Sequence, residues 1–321
     1  MATYVREVST ILPRIAPEYE YRVYTKGENL GLFEQVLLPL ELHRDRVDLT
    51  HYLSHYVPAF ASGTFIFTIH DLIHLRFIEY FRAYIGPYYR TVIRRACRKA
   101  ARIITSDSRT VADLEELLGA DPRKIVVIPL APRPRFFEPS APHRGERPYL
   151  LNVGNHFPHK DIPTLLRAWA ALPERYEVDL YLTGPDDLKG ELQRYSTPRR
   201  RAVALGNVSD DQLASYYAGA SALVQSSLLE GFGLPFVEAM AQGCPVIATT
   251  TSLPDPVEQT ALRFAPRDAE GARAQIERLL DDEALRAERV KQGIAAVREL
   301  SWERTARETA SVYRTVLEES T

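Results

Sequence analysis

Only two cysteines, Cys97 and Cys244, occur in the 321 residues. They stand far apart in apolar surroundings, and neither has metal-ligand spacing around it. That excludes a disulfide framework or a cysteine-built metal site, and each reads as a small buried hydrophobe in a reducing compartment. Long apolar runs are also lacking. None is long enough to span a bilayer, and no leader-like segment opens the sequence. The expectation is a cytoplasmic protein, with peripheral contact at the inner membrane face left open. Net charge is nearly absent as well: 40 Lys+Arg against 42 Asp+Glu give a formal charge of -2. Global charge therefore drives the chain toward neither nucleic acid nor membrane, and any such contact has to be local. No fixed-period repeat or low-complexity tract is found.

What is present is an alternation of short β-branched runs with helix-period segments, the pattern of a parallel α/β protein. Strands are predicted at Tyr21–Thr25, Asp48–Tyr52, Thr64–Thr68, Arg102–Ser106 and Lys124–Pro129. The pattern restarts beyond the proline- and charge-rich stretch Pro132–Pro148 with Tyr149–Val153, Val178–Thr183, Ala202–Leu205, Ala222–Gln225, Pro245–Ala248 and Leu262–Phe264. This predicts a first domain over 1–145, a second over 146–300, and a terminal amphipathic helix over 301–321 that can pack on either. On that helix Trp302, Ala306, Ala310, Tyr313 and Leu317 share one face. The first domain opens directly on a helical pattern (Tyr4, Val8, Ile11, Leu12), without the strand and glycine turn that normally start a doubly wound domain.

The stretch Ser226–Met240 carries the most chemistry. It leaves a predicted strand and opens a helix. Pro235 suits the first helical turn, and Gly231 and Gly233 allow close backbone approach. The helix N-terminus offers unpaired donors and roughly half a positive charge, suited to a diphosphate. Glu230 and Glu238, eight positions apart, can each accept a pair of hydroxyls from a sugar or a ribose. Taken singly, each acid reads equally as a cap or a surface group; the joint placement of two glycines, a proline and two acids favours a ligand. The stretch Leu151–Asp161 likewise leaves a strand through a glycine, Gly154, and brings Asn155 and Lys160 to the strand's carboxyl end, where Lys160 can face phosphate or plain solvent. In the first half, His70–Asp71 ends a buried strand. The pair reads either as sugar recognition or proton handling, or as a structural histidine beside an N-cap. Arg90, Arg94, Arg98 and Arg102 recur at four-residue steps with Arg95 and Lys99 beside them. That face is compatible with an anionic lipid or acceptor, and a solvated helix face is the simpler reading.

On these residues the sequence resembles glycosyltransferase family 4, among its bacterial mannosyltransferase-like members. Glu230-Gly231-Phe232-Gly233-Leu234-Pro235-Phe236-Val237-Glu238 matches the family's E-x7-E motif and runs into Ala239–Ile247. Thr68–Leu72 resembles its His-Asp element, Ile103–Ser108 its interdomain strand and loop, and Lys160 its diphosphate-binding lysine. The resemblance implies a GT-B fold, α/β, with two Rossmann-like doubly wound domains facing across a cleft, the first lacking its first strand. It also implies retaining, metal-independent transfer of a mannose- or glucose-type hexosyl group from a GDP- or UDP-linked donor, with no cofactor beyond that co-substrate. By the same resemblance Glu230 holds sugar hydroxyls near the reacting carbon and Glu238 holds the ribose. Gly231, Phe232, Gly233 and Leu234 supply backbone groups, Val208 stands by the base, and His70 approaches the sugar. Asn155 and His159 stand where the family often has arginine.

The acceptor is left open among a glycan, a lipid-linked carrier and a small molecule. So is an oligomer or partner chain that completes the first domain. A glycosidase is disfavoured, because it sets two carboxylates roughly 5–9.5 Å apart across one bond, and these two acids suit positions along a nucleotide sugar. The remaining alternative is a partner subunit that binds nucleotide sugar with little or no catalysis.

Overall fold

The computed structural model of the protein describes residues 2–24, 31, 33–185 and 188–320. The chain divides into two compact units, one formed by Met1–Leu130 with Ser301–Thr321 and the other by Ala131–Leu300.

The first unit holds a parallel four-stranded sheet of β1 (Thr50–Tyr52), β2 (Phe65–Thr68), β3 (Arg102–Thr105) and β4 (Ile125–Val127), in that spatial order. All four residues of β2 are buried, so the strand is covered on both faces, as expected of a parallel sheet. The period of two divides its side chains between two cores. Phe65 and Phe67 join Ile93, Cys97, Ile103 and Leu114 on one side, while Ile66 joins Ile104, Ile128, Val312 and Val316 on the other. The helix Ala2–Ile15 buries Tyr4, Val8, Ile11 and Leu12, the stripe expected of it. The terminal helix, Trp302–Ser320, packs within this unit. It buries Trp302, Ala306 and Ala310 as expected, but the stripe then passes to Val312 and Val316, leaving Tyr313 and Leu317 half-buried.

The strand expected at Tyr21–Thr25 is not formed. Residues 21–24 are irregular, and Thr25 lies outside the described residues. Side chains hold the segment in place of a ladder. The Tyr21 hydroxyl donates to the Ala16 carbonyl (3.1 Å) and the Tyr24 hydroxyl to Asp45 (2.7 Å). Aromatic and β-branched content favours extended backbone, but only a neighbouring strand turns that into a sheet.

The second unit holds a parallel six-stranded sheet: β5 (Tyr149–Asn152), β6 (Asp179–Thr183), β7 (Ala202–Gly206), β8 (Ala222–Gln225), β9 (Val246–Thr249) and β10 (Leu262–Phe264). The spatial order is β10-β9-β8-β5-β6-β7. From β5 the chain winds outward through β6 and β7, then crosses back to β8 and winds the other way. The winding reverses between β5 and β8, and at such a reversal the loops after the two strands diverge and leave a crevice at the carboxyl ends. Beneath it, Leu150, Leu180, Leu182, Val224 and Ile247 pack against Leu165, Leu166 and Trp169 of the helix Ile162–Ala170. Trp169 is fully buried, and its indole N–H donates to the Val178 carbonyl at 2.9 Å.

Trp169→Ala is expected to lower the unfolding free energy of this unit by about 3–5 kcal/mol, the usual cost of an aromatic-to-alanine cavity. Urea unfolding followed by far-UV circular dichroism measures it, and a loss below about 1 kcal/mol would contradict the described packing.

Candidate functional site

Most of the residues singled out in the second half stand on the loops that leave the carboxyl ends of β5, β7 and β8. The reversal itself is bridged by buried amides. Asn152, the last residue of β5, donates through Nδ2 to the Val224 carbonyl (2.9 Å) and to Gln225 Oε1 (2.5 Å). Gln225, the last residue of β8, returns a bond from Nε2 to the Val153 carbonyl (2.6 Å). Unpaired amides would be expensive here, so the satisfied set fixes the two strand ends against each other. Above it, the turn Pro158–Lys160 is tied to the loop after β8. The Leu228 N–H donates to the His159 carbonyl (2.7 Å), and the Ser226 hydroxyl is shared between the Lys160 and Asp161 carbonyls (2.9 Å each).

This tie brings Lys160 onto Glu230. The ammonium stands 2.6 Å from Glu230 Oε1, which also accepts from the Ser227 hydroxyl at 2.6 Å. Both side chains are mostly shielded, at 14% and 11% exposure. Burial pushes the Glu230 carboxyl upward, but the Lys160 ammonium, the Ser227 hydroxyl and His159 outweigh it and hold Glu230 below its ordinary range. The site thus holds a carboxylate that stays ionised and an ammonium with two further N–H donors.

The helix Leu234–Ala241 begins immediately beyond. Gly231, Phe232 and Gly233 are buried, while Leu234 is half-buried. Gly233 is required twice over: its φ is +74°, and a Cβ there would come within 2.5 Å of the Phe236 ring. On the β5 side, Gly154 (φ +147°) passes so close to Gly184 that a Cβ on Gly184 would overlap the Gly154 carbonyl at 2.1 Å. Asn155 is exposed, and its Oδ1 accepts from the Phe157 N–H at 3.3 Å.

Glu238 sits one turn into the helix, buried at 1% exposure, and belongs to a different cluster. Arg133 grips it bidentately, Nε to Oε1 at 2.6 Å and Nη2 to Oε2 at 3.0 Å. The same guanidinium lies 4.6 Å over the Phe136 ring and bonds through Nη1 to Asp210. Burial lifts the Glu238 carboxyl above its ordinary range, and the Arg133 fork opposes that lift. Asp210 opens the helix Asp210–Gly219, capped by Ser209 and Gln212 in a capping box. Half-buried Val208 lies in the loop just before it. Arg133 therefore ties Glu238 to the loop of Val208, and Lys160 ties Glu230 to the reversal. The acids of the motif are partitioned between two cations. Arg133 was not singled out in the sequence, because it lies within the proline- and charge-rich stretch Pro132–Pro148 that precedes the restart of the strand pattern.

His70 belongs to the first unit, just past β2. Its Nδ1 is hydrogen-bonded with the Ser106 hydroxyl (3.2 Å), and the Tyr4 ring meets it edge-on at 4.6 Å between centroids. Burial lowers its pKa to about 3, so the imidazole is neutral at ordinary pH. Its Nε2 is buried without a hydrogen-bond partner among the described residues. Asp71 caps the next turn, accepting from the Ile73 N–H at 3.1 Å.

Comparison with known proteins bears on both units. Residues 7–131 match the family described as Glycosyltransferase Family 4, and residues 147–282 match the one described as Glycosyl transferases group 1. The O-antigen chain mannosyltransferase B of Escherichia coli is 35% identical over 173 residues, 52% of this chain and 45% of that protein. The chain thus spans about half the length of that relative. Among solved structures, the sucrose-phosphate synthase of Thermosynechococcus elongatus superposes with a TM-score of 0.73 at 23% identity, covering 92% of this chain and 81% of that one. HepE of Anabaena, crystallised with UDP and glucose, gives 0.72 at 17% identity, covering 96% of both.

The depressed Glu230 pKa sets a sign for pH dependence. A carboxyl lowered in the folded state contributes stability that is present above its unfolded pKa and is lost as pH falls through the folded one. Relative to Glu230→Gln, the native chain should be more stable by about 1–3 kcal/mol near neutrality. The gap should close once the pH falls well below about 4. Paired thermal melts across that range check this; an unchanged gap in acid would mean that Glu230 is not held as a carboxylate.

Proposed function

Because the chain belongs to glycosyltransferase family 4 and has the GT-B fold, we propose that it moves a hexosyl group, of mannose or glucose type, from a GDP- or UDP-linked donor to an acceptor hydroxyl, with retention and without a metal. The observation that carries this reading is the Lys160–Glu230 pair at the reversal of the six-stranded sheet, adjoining a helix N-terminus. The mannosyltransferase named among its relatives supports the mannose type, and the UDP and glucose bound by HepE support a nucleoside diphosphate donor.

Breaking the bond between sugar and diphosphate places negative charge on the leaving phosphate. An exposed helix end contributes only about 0.3–1 kcal/mol toward that charge. A positioned donor in a water-poor site contributes roughly 3–4 kcal/mol. The helix Leu234–Ala241 is therefore the lesser partner and Lys160 the greater. In this reading the ammonium turns its free N–H donors to the diphosphate while Glu230, already ionised, accepts sugar hydroxyls. Glu238, steadied by Arg133, offers its remaining lone pairs to the ribose near the Val208 loop. A neutral His70 can hydrogen-bond a sugar hydroxyl but cannot serve as a cationic acid. The acceptor is a hydroxyl of a glycan, a lipid-linked carrier or a small molecule.

Lys160→Ala is expected to lower turnover about a hundredfold or more, measured with the donor that gives the largest thermal shift among GDP, UDP and their hexose conjugates. Near-normal turnover would remove Lys160 from the reaction. Nucleotide-sugar binding without transfer to any acceptor would favour a non-catalytic binding subunit.

A further inference from the structure

The turn that carries Lys160 also displays a phenyl ring. Among the described residues of the second unit only two large apolar side chains are exposed, Phe137 and Phe157, at 46% and 54%. A single apolar side chain on a surface is ordinary, but Phe157 differs in how firmly it is held. The Asn155 side chain accepts from the Phe157 N–H (3.3 Å), and the Phe157 carbonyl accepts from the Lys160 N–H (2.8 Å). His156, just before it, is fixed by a hydrogen bond between Nε2 and the Thr183 carbonyl (3.1 Å). His159, just after it, is buried, and its carbonyl is taken by the Leu228 N–H (2.7 Å). Pro158 restricts the backbone of Phe157 further to extended angles, φ -61° and ψ +151°. A turn bonded on both sides in this way keeps the ring in solvent.

The ring stands beside the charged pair. Its centroid is 6.2 Å from that of the His159 ring, and His159 is close enough to Glu230 to help keep that carboxyl ionised. Glu230 also has an open side. Lys160 and Ser227 both bond to Oε1, and Oε2 has no hydrogen-bond partner among the described residues. An open carboxylate oxygen and a phenyl face, carried on two loops that are bonded to each other, match the two aspects of one pyranose. Its rim bears hydroxyls that donate to a carboxylate, and its face bears polarised C–H bonds that suit the negative face of an aromatic ring.

We propose that Phe157 is a specificity-determining residue, stacking on the C–H face of the transferred hexose while Glu230 Oε2 accepts one of that sugar's hydroxyls. The inference rests on the reading of Lys160 and Glu230 as a nucleotide-sugar site. It makes the sugar, and not the diphosphate alone, a source of affinity. One phenyl ring is far too small a surface to hold a protein partner, whereas a single hexose ring is of its own size.

The test is calorimetric titration of GDP, GDP-mannose, UDP and UDP-glucose into the native full chain, Phe157→Ala and Phe157→Tyr. For the nucleotide that binds, Phe157→Ala should weaken its sugar conjugate by about fivefold, the worth of one aromatic contact, and leave the bare nucleoside diphosphate unchanged. Phe157→Tyr keeps the aromatic face and should bind both ligands like the native chain. All three proteins should melt at one temperature, because the ring is mostly in solvent. An equal loss for diphosphate and sugar conjugate would make Phe157 a structural part of the Lys160 turn, and no loss for either would take it out of the site; each result overturns the proposal. If the native chain binds none of the four ligands, the nucleotide-sugar reading itself fails and this inference falls with it.

Discussion

The ion pair between Lys160 and Glu230 is the constraint on which the rest of the second unit's chemistry depends. It exists because the order of the sheet reverses between β5 and β8, so that the loops after two adjacent strands lead in opposite directions and their first residues face each other. Lys160 and Glu230 are 70 positions apart in sequence, yet the Asn152–Gln225 bridge below and the Ser226 hydroxyl above leave them little freedom. Burial by itself disfavours a carboxylate. The pairing with Lys160 and Ser227 reverses that, so charge is present before any ligand arrives. A preset charge needs no reorganisation at the moment of reaction.

Arg133 plays the matching part for the second acid. A carboxylate as deeply buried as Glu238 is stable only with a geometrically good partner. The guanidinium fork supplies it, at the same time fastening the helix Leu234–Ala241 to the start of the helix Asp210–Gly219. The two acids of one motif thus have different partners: Glu230 is paired with Lys160 at the reversal, whereas Glu238, through Arg133, holds two helices in register.

Much of this was legible in the sequence, because it is carried by local pattern. Strand and helix alternation gave all ten described strands within about two residues, the usual uncertainty of element ends, and the spacing from Glu230 to Glu238 marked the loop that follows β8. What escaped the sequence is tertiary. Arg133 precedes Glu238 by 105 positions and sits among prolines that read as a connector. Asn152 and Gln225 are ordinary strand-end amides until β5 and β8 become neighbours. Tyr21–Thr25 has the composition of a strand, but among the described residues no strand pairs with residues 21–24. The terminal helix buries the expected Trp302, Ala306 and Ala310, but beyond them Val312 and Val316 are buried while the expected Tyr313 and Leu317 are half-buried.

On the proposed function, Lys160, poised by Glu230, recognises the second phosphate of a nucleoside diphosphate. Calorimetric titration of nucleoside diphosphate and monophosphate into the native chain and into Lys160→Met tests it most directly. The substitution should weaken diphosphate binding by about tenfold or more, the worth of a charge-assisted hydrogen bond, and leave monophosphate binding nearly unchanged. An equal loss for both nucleotides, or no loss for either, would contradict it.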